Sequence, residues 1–495
     1  MRHQPRLLVK LAATASLGLS IGCAGGGAPT FLAPENRVAA RPGLVWPVLP
    51  ASGAVASSPP VVADLAARSN ELIELVDVAL TTNPATRQAW QLAQADAART
   101  ARAQSAYFPR LEAGVDAGYE SFLFQQKDAP VRVDQWEVIP QASLTWTLLD
   151  FGRRSGALAS AESRLRAANL TSNRVVQDVI FAVARGYYAL DAALAMVGAA
   201  EGNLARAVSV NEAAEQRRTL GLATLPDVLL TRQTKAKAIY DLESAKVGVS
   251  HAQAELAMAI GIPANQPVEI RRLGDLPLPE ALESTVDALI GDALADRPDL
   301  LAQMARVRAE EAAVEQARAD LFPEVYVNAG WGQDLWWYRI NDSATDDVDE
   351  PSYRAMLGVR WKLFEGFDRW NAIREAEAEA AGEKAALETA RLEAVAAIWR
   401  VYHDFRAARK KWEYAQALEV ASREAYISNR DSYAQGLTTI VELLTAERDL
   451  AESLYVGIHA RAGLLTTAAE LDWVVGARDK QRSETNRRLP ETPLP

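Results

Sequence analysis

The chain has one cysteine, Cys23, in 495 residues. That excludes an internal disulfide and any zinc site built on cysteine. Histidine is nearly as scarce. His3, His251, His403 and His459 are scattered, and none has the spacing of a metal-binding helix. No Ser/His/Asp constellation and no phosphate-binding glycine loop is visible, so the residues give no support to an enzyme, a cofactor or a resident metal. The net charge is −11, which removes the electrostatic basis for binding nucleic acid. Beyond the N-terminus there is no run of about 18 continuous apolar residues, the length of a membrane-spanning helix.

The N-terminus differs. Arg2, Arg6 and Lys10 precede an apolar stretch from Leu11 to Gly22, the pattern of a secretory signal over 1–22. The stretch ends in "LSIGC", which resembles a bacterial lipoprotein box with Gly22 before Cys23 and Ser20 where the box prefers leucine. Cys23 is therefore the expected lipidation site. Residues 23–68 are rich in Pro, Gly and Ala, show no hydrophobic period, and read as an extended lipid-anchored tether.

Beyond the tether one pattern occurs twice, over 69–275 and 276–475, before a polar tail at 476–495 that reads as disordered. A short helix ends in Asn83-Pro84 and again in Arg297-Pro298. A second helix closes at Phe108-Pro109 and at Phe322-Pro323, both pairs 214 residues apart. "WTLLDFG" from Trp146 answers "WKLFEGF" from Trp361 at an offset of 215. Turns at Gly221 and Gly436 repeat at the same offset, each followed by Leu (Leu222, Leu437), a Thr three places on and an acid six places on.

Between these landmarks lie alternating segments that read as strands at 110–123, 135–149, 324–338 and 352–364. In "RLEAGVDAGYES" one face carries Leu111, Val115 and Tyr119, and the other Glu112, Asp116 and Glu120. Aromatics gather near the ends (Tyr119, Trp136, Trp146, Trp331, Trp361), as in a lipid-facing barrel with a wet lumen. A soluble sheet also alternates. Four strands cannot close a membrane barrel, and lipid does not tolerate open edges. Strands must be pooled between copies, eight from two chains or twelve from three. The acidic segment "NDSATDDVDEP" (341–351) reads as a loop joining the second strand pair.

The stretch 153–219 has no proline over 67 residues and reads as one helix about 100 Å long. Two adjacent heptad seams run along it, one through Leu158, Leu165 and Val179, the other through Val176, Val183 and Leu190. A helix with two seams has a neighbour on each side. Helices at 84–108 and 223–261 together nearly match its length, so two short helices end to end can lie beside one long one.

With "YFPRLEAGVDAGY", "LFPEVYVNAGW", "LTWTLLDFGRR" and the turns "GLATLPDVL" and "GLTTIVELL", the chain resembles the outer membrane efflux proteins of the TolC family over roughly 70–475. The leader resembles the lipoprotein branch. The resemblance implies a mainly α fold with membrane β: a homotrimer with a twelve-stranded barrel in the outer membrane of a Gram-negative bacterium, set on a helical tunnel through the periplasm. It implies a passive exit duct serving a periplasmic adaptor and an inner-membrane pump. It also implies that the glycine turns are hairpin tips forming the periplasmic mouth. There the constriction falls on Glu442 and Thr445, which keeps half of the family's acidic pair. Three Glu442 carboxylates at a narrow point would repel one another and raise at least one pKa. The family's latch falls on Asp227 and Tyr433, with Thr438 in place of its arginine, leaving an Asp227–Tyr433 hydrogen bond as the expected contact. Small-molecule efflux is the expected service, with type I protein secretion or a structural trimeric coiled-coil lipoprotein as alternatives.

Overall fold

The computed structural model describes residues 37–46, 65, 69–126, 129–274, 278, 285–341 and 343–476. The signal segment, Cys23, most of the tether and the tail after Gly476 lie outside them. The described chain holds eight helices and four strands in a repeated order. The first repeat comprises α1 (Leu72–Thr82), α2 (Pro84–Ser105), β1 (Arg110–Gln126), β2 (Ala129–Leu149), α3 (Arg153–Thr219) and α4 (Leu225–Ile260). The second comprises α5 (Val286–Asp296), α6 (Pro298–Ala319), β3 (Glu324–Ile340), β4 (Asp346–Arg360), α7 (Asp368–Ala434) and α8 (Ile440–Val475).

The short helices are stacked end to end. Thr82 at the end of α1 and Asn83 before α2 donate to the carbonyls of Ile260 and Ala259 at the end of α4. A Cβ on Gly261 would lie 2.6 Å from Asn83 Cα, so only glycine lets the ends meet. In the second repeat Arg297 donates to the Val474 carbonyl at the end of α8, 3.1 Å away. The cores gather at these junctions. Leu75, Val183, Tyr187, Leu190, Leu256 and Ile260 form one. Ile398, Val401, Phe405, Leu464, Leu471 and Val474 form its counterpart. α3 packs against α2 and α4 on one side and α6 and α8 on the other, as its two seams require. By length and composition α3 contains a window apolar enough to cross a membrane. About a third of that window is buried against neighbouring helices within the chain.

Residues 37–46, read from sequence as part of an extended tether, are seated on α2 and α3. Asn173 bonds both the amide and the carbonyl of Trp46, at 2.6 and 3.0 Å. Asn169 donates to the Arg37 carbonyl and Trp90 to the Ala39 carbonyl. The segment is held through its backbone, so no side-chain periodicity announces it.

The strands form one antiparallel sheet in the order β1-β2-β3-β4. β2 and β3, from different repeats, pair at its centre, with Trp136 opposite Trp337 and Ala142 opposite Trp331. The strands run further than the alternating pattern indicates. β1 continues to Gln126, β3 to Ile340, and β4 takes in Asp346–Pro351 of the segment read as an acidic loop. Backbone pairing does not require an apolar face, so charge there hides the strand. At its other end β4 stops at Arg360, short of the expected 364.

The two strand-to-helix joints are built alike. The Trp146 indole donates to the Tyr107 carbonyl at 3.0 Å, and that of Trp361 to the Leu321 carbonyl at 3.1 Å. Arg154 is held by Asp150 while donating to the carbonyls of Thr147 and Leu148. Arg369 does the same with Glu365 and the carbonyl of Lys362. The paired sequence motifs are the hinges that fasten sheet to helices.

Candidate functional site

One face of the sheet is apolar over most of its middle, with Gln333 of β3 and Asp347 and Asp349 of β4 as polar exceptions toward the Trp337 end. Pairing places Leu111 opposite Leu144, Ala113 opposite Ala142, and Ala117 opposite Val138. Val327 lies opposite Leu357 and Trp331 opposite Tyr353. These pairs share a face, and Leu111, Val115, Tyr353, Leu357 and Val359 are exposed on it. Tyr119, Trp136 and Trp337 cap the band at one end, with the Tyr119 and Trp136 rings 4.9 Å apart. Trp146 and Trp361 mark the other end. Ten residues separate Trp146 from Trp136 on β2. At about 3.4 Å per residue and a tilt near 40° that is a band about 26 Å tall, the height of an outer-membrane hydrocarbon zone. Trp331, expected near a strand end, lies within the band because the strands are longer than their alternation shows. The opposite face carries Glu112, Asp116, Glu120, Glu137 and Asp334, with Arg354 and Arg360. It is a polar, mainly acidic surface.

At the far end of the helices lie the two glycine turns. Gly221 and Gly436 adopt φ of +73° and +77°, and no atom crowds a Cβ at either. Their glycine is required by backbone conformation. Each ends its long helix with the same pair of bonds. Gly221 and Leu222 donate back to Arg218 and Arg217, and Gly436 and Leu437 to Tyr433 and Ser432. Two residues later a threonine caps the returning helix. Thr224 and Asp227 form one reciprocal capping box, Thr439 and Glu442 the other. This explains the Thr and the acid at fixed places after each glycine. A helix reversal needs two caps, and one nine-residue phrase supplies both. Leu220, Leu222 and Leu437 project from the tips, each about 70% exposed.

The sequence-derived site residues gather here with different contacts from those expected. Glu442 accepts from the Thr439 amide at 2.9 Å and from the hydroxyls of Thr439 and Thr438. The Thr438 hydroxyl, followed by the two Thr439 donors, holds its carboxyl below the usual range. Within one chain the shift is thus opposite to that expected of three crowded carboxylates. Thr445 is exposed and turns its hydroxyl back to the Val441 carbonyl at 2.8 Å. Asp227 accepts from the Thr224 amide and hydroxyl, both at 2.8 Å. The expected Asp227–Tyr433 hydrogen bond is not the contact made, because the carboxylate serves its own helix cap.

Tyr433 instead meets Arg217, which sequence reading overlooked. The guanidinium lies 4.8 Å from the ring centre and donates to the Tyr433 carbonyl at 3.1 Å. Burial raises the Tyr433 phenol, while the Arg217 charge opposes this and that of Asp227 adds to it. An arginine in the last turn of α3 faces the end of α7 and satisfies a carbonyl there. The cation joining the hairpins therefore comes from the first repeat, where the family resemblance placed it in the second. Among the described residues no group of three or more His, Cys, Asp or Glu is placed to hold a metal ion.

The profile described as "Outer membrane efflux protein" matches residues 75–262 and 289–477, one match per repeat. The chain is 32% identical over 479 residues to Protein CyaE of Bordetella pertussis, covering 95% of both chains. It is 24% identical over 391 residues to the pyoverdine export outer membrane protein OpmQ of Pseudomonas putida, covering 78% of this chain and 81% of that one. Among solved structures, the outer-membrane channel OprN matches with a TM-score of 0.70 at 22% identity, over 82% of this chain and 90% of its own. The outer membrane protein VceC of Vibrio cholerae matches at 0.67 and 19% identity, over 82% and 96%. The duplicated helices, the banded sheet and these matches agree: the chain belongs to the outer membrane efflux protein family and is an exit duct of the outer membrane that extends into the periplasm.

Proposed function

We propose that three copies of the chain form the duct, pooling their sheets into a twelve-stranded barrel above a helical tunnel, with Cys23 carrying a lipid anchor. The observation that carries this is the open sheet. β1 and β4 each have an unpaired edge, yet the sheet bears a lipid-height apolar band. Open edges are excluded from hydrocarbon, so another copy must cover them. Eight strands make a barrel whose interior side chains fill it, whereas twelve leave a lumen. The helices agree, because α7 leaves Trp370, Leu392, Trp399 and Tyr414 exposed and α4 leaves Tyr240, Val247 and Met258 exposed.

Six tips then form the periplasmic mouth. Glu442 and Thr445 line its narrow part, and Leu222 and Leu437 offer apolar contacts to a periplasmic adaptor that links the duct to an inner-membrane pump. Gly221, Gly436, Asp227, Thr438 and Tyr433 shape the tips that move when it opens. The cargo we favour is a small molecule, as the relative OpmQ is named for the export of pyoverdine.

Single-channel current across a planar bilayer tests the reading. Discrete, cation-selective steps are expected, blocked by divalent cations from the tip side only, with selectivity relaxed by Glu442→Ala. Unchanged selectivity in that variant removes Glu442 from the constriction. Absence of a heat-sensitive trimer on gels, together with absence of current, rejects the duct.

A further inference from the structure

The two tip hairpins carry the same interhelical charge pair with the signs exchanged. In the first, Arg232 on α4 donates from Nε and Nη2 to Glu215 on α3, at 3.1 and 3.0 Å. The tip offset of 215 residues carries this pair onto Glu447 of α8 and Arg430 of α7. There the pair is not made. Arg430 turns outward to Asp431, at 3.1 and 3.0 Å. Glu447 is 1% exposed, and neither carboxylate oxygen has a hydrogen-bond partner. Around it lies the apolar cluster of Val210, Tyr426, Leu443 and Leu450 at the seam of α3, α7 and α8.

Arg206 on α3 is the cation whose field reaches Glu447, and its Nε and Nη2 are themselves buried without partners. A buried carboxylate with no hydrogen bond is costly to ionise, and the nearby Arg206 charge offsets that cost only in part. Burial pushes the Glu447 carboxyl up to about 7, with the Arg206 charge opposing it. The other titratable groups around the seam are Tyr426 and Arg430 on α7 and Tyr455 on α8, with Lys237 and Asp241 of α4 beyond. None supplies a hydrogen bond to the carboxylate.

We propose that Glu447 is a proton-operated switch in the second hairpin: uncharged it stays in the seam and holds α8 against α3 and α7, and ionised it leaves the seam to pair with Arg430, loosening the mouth. The first hairpin shows that such a pair is within reach across this turn. Its carboxylate, Glu215, is held below the usual range, first by the hydrogen bond from Arg232, so it stays ionised in the pair. The sign follows from linkage. A carboxyl whose folded value is raised contributes stability that is complete in acid and lost as pH rises through about 7. The mouth packs tightest in acid. The effect on flow rests on the duct reading above, but the titration of the seam does not.

Two measurements on the full-length protein keep these apart. The infrared difference spectrum between about pH 5.5 and about pH 8.5 should show loss of a protonated carboxylic acid band, absent from Glu447→Gln. Single-channel open probability should rise at least about fivefold over the same range in the parent and stay at its acid value in Glu447→Gln. In Arg430→Gln the band should still titrate while the rise in current is reduced. A band that does not change with pH overturns the switch, as does a current midpoint that survives in Glu447→Gln. Absence of current in every variant rejects the duct reading, and the infrared band alone then decides the switch.

Discussion

α3 and α7 are both 67 residues long and stand at the same place in their repeats, yet twenty residues of α3 are buried and only nine of α7. The difference is one of neighbours. α3 lies between its own repeat and the next, so both of its seams are filled within the chain. α7 packs on α5, α6 and α8 and meets α3 near the tips, which leaves much of its length open. The helix that is finished inside one chain and the helix that is left open teach what the chain needs from its copies. Apolar residues such as Leu392 and Trp399 on α7 are exposed here because their partners belong to another molecule in the proposed assembly.

The comparison can be broken with one substitution on each side. Leu190→Asp on α3 places an unpaired carboxylate in a fully buried position and should cost roughly 3–5 kcal/mol, enough to remove the folded chain from the membrane fraction. Leu392→Asp on α7 should leave the chain folded and abolish only the trimer, read as loss of the heat-sensitive band on gels with protease resistance of the monomer retained. Should both variants fail to fold, the distinction between filled and open seams is wrong. Next in size is Arg217→Ala, which removes a ring contact and a carbonyl donor between the hairpins. A loss of about 1–2 kcal/mol is expected, seen as faster hydrogen exchange at the end of α7 than at the start of α8.

Gly436→Ala should cost about 1 kcal/mol from its positive φ alone, with an equal effect for Gly221→Ala. A larger effect at one tip would mean that the two turns bear different loads. The smallest change is Thr224→Ala, which removes a helix cap at about 1 kcal/mol or less and should speed amide exchange only in the first turn of α4.

Much of this was legible beforehand, and the reasons differ by feature. The long helices were readable because both their seams repeat in sequence. The strands were readable only where one face meets lipid. Toward the Trp337 end of β4 both faces carry acids, alternation of apolar and polar residues ends, and Asp346 to Pro351 looks like a loop in sequence. The tips were found through their glycines. Asp227 and Glu442, which the family resemblance places at a latch and a constriction, are each bound within the chain to a threonine three residues before it. Such a cap is local and visible in sequence. Arg217 was missed for the opposite reason, since its partner lies 216 residues away and is a ring and a carbonyl, which leave no charge pattern to match. The seating of residues 37–46 on Asn169 and Asn173 was hidden in the same way.

The two bare edges of the sheet also bear on safety. A solitary chain is a curved wall with no enclosed space, so it offers no hole. A shortage of copies for the proposed assembly therefore leaves open sheets rather than fragments of a pore. In the proposed assembly leakage begins only when the last edge finds its match, so closure of the wall is itself the inspection step.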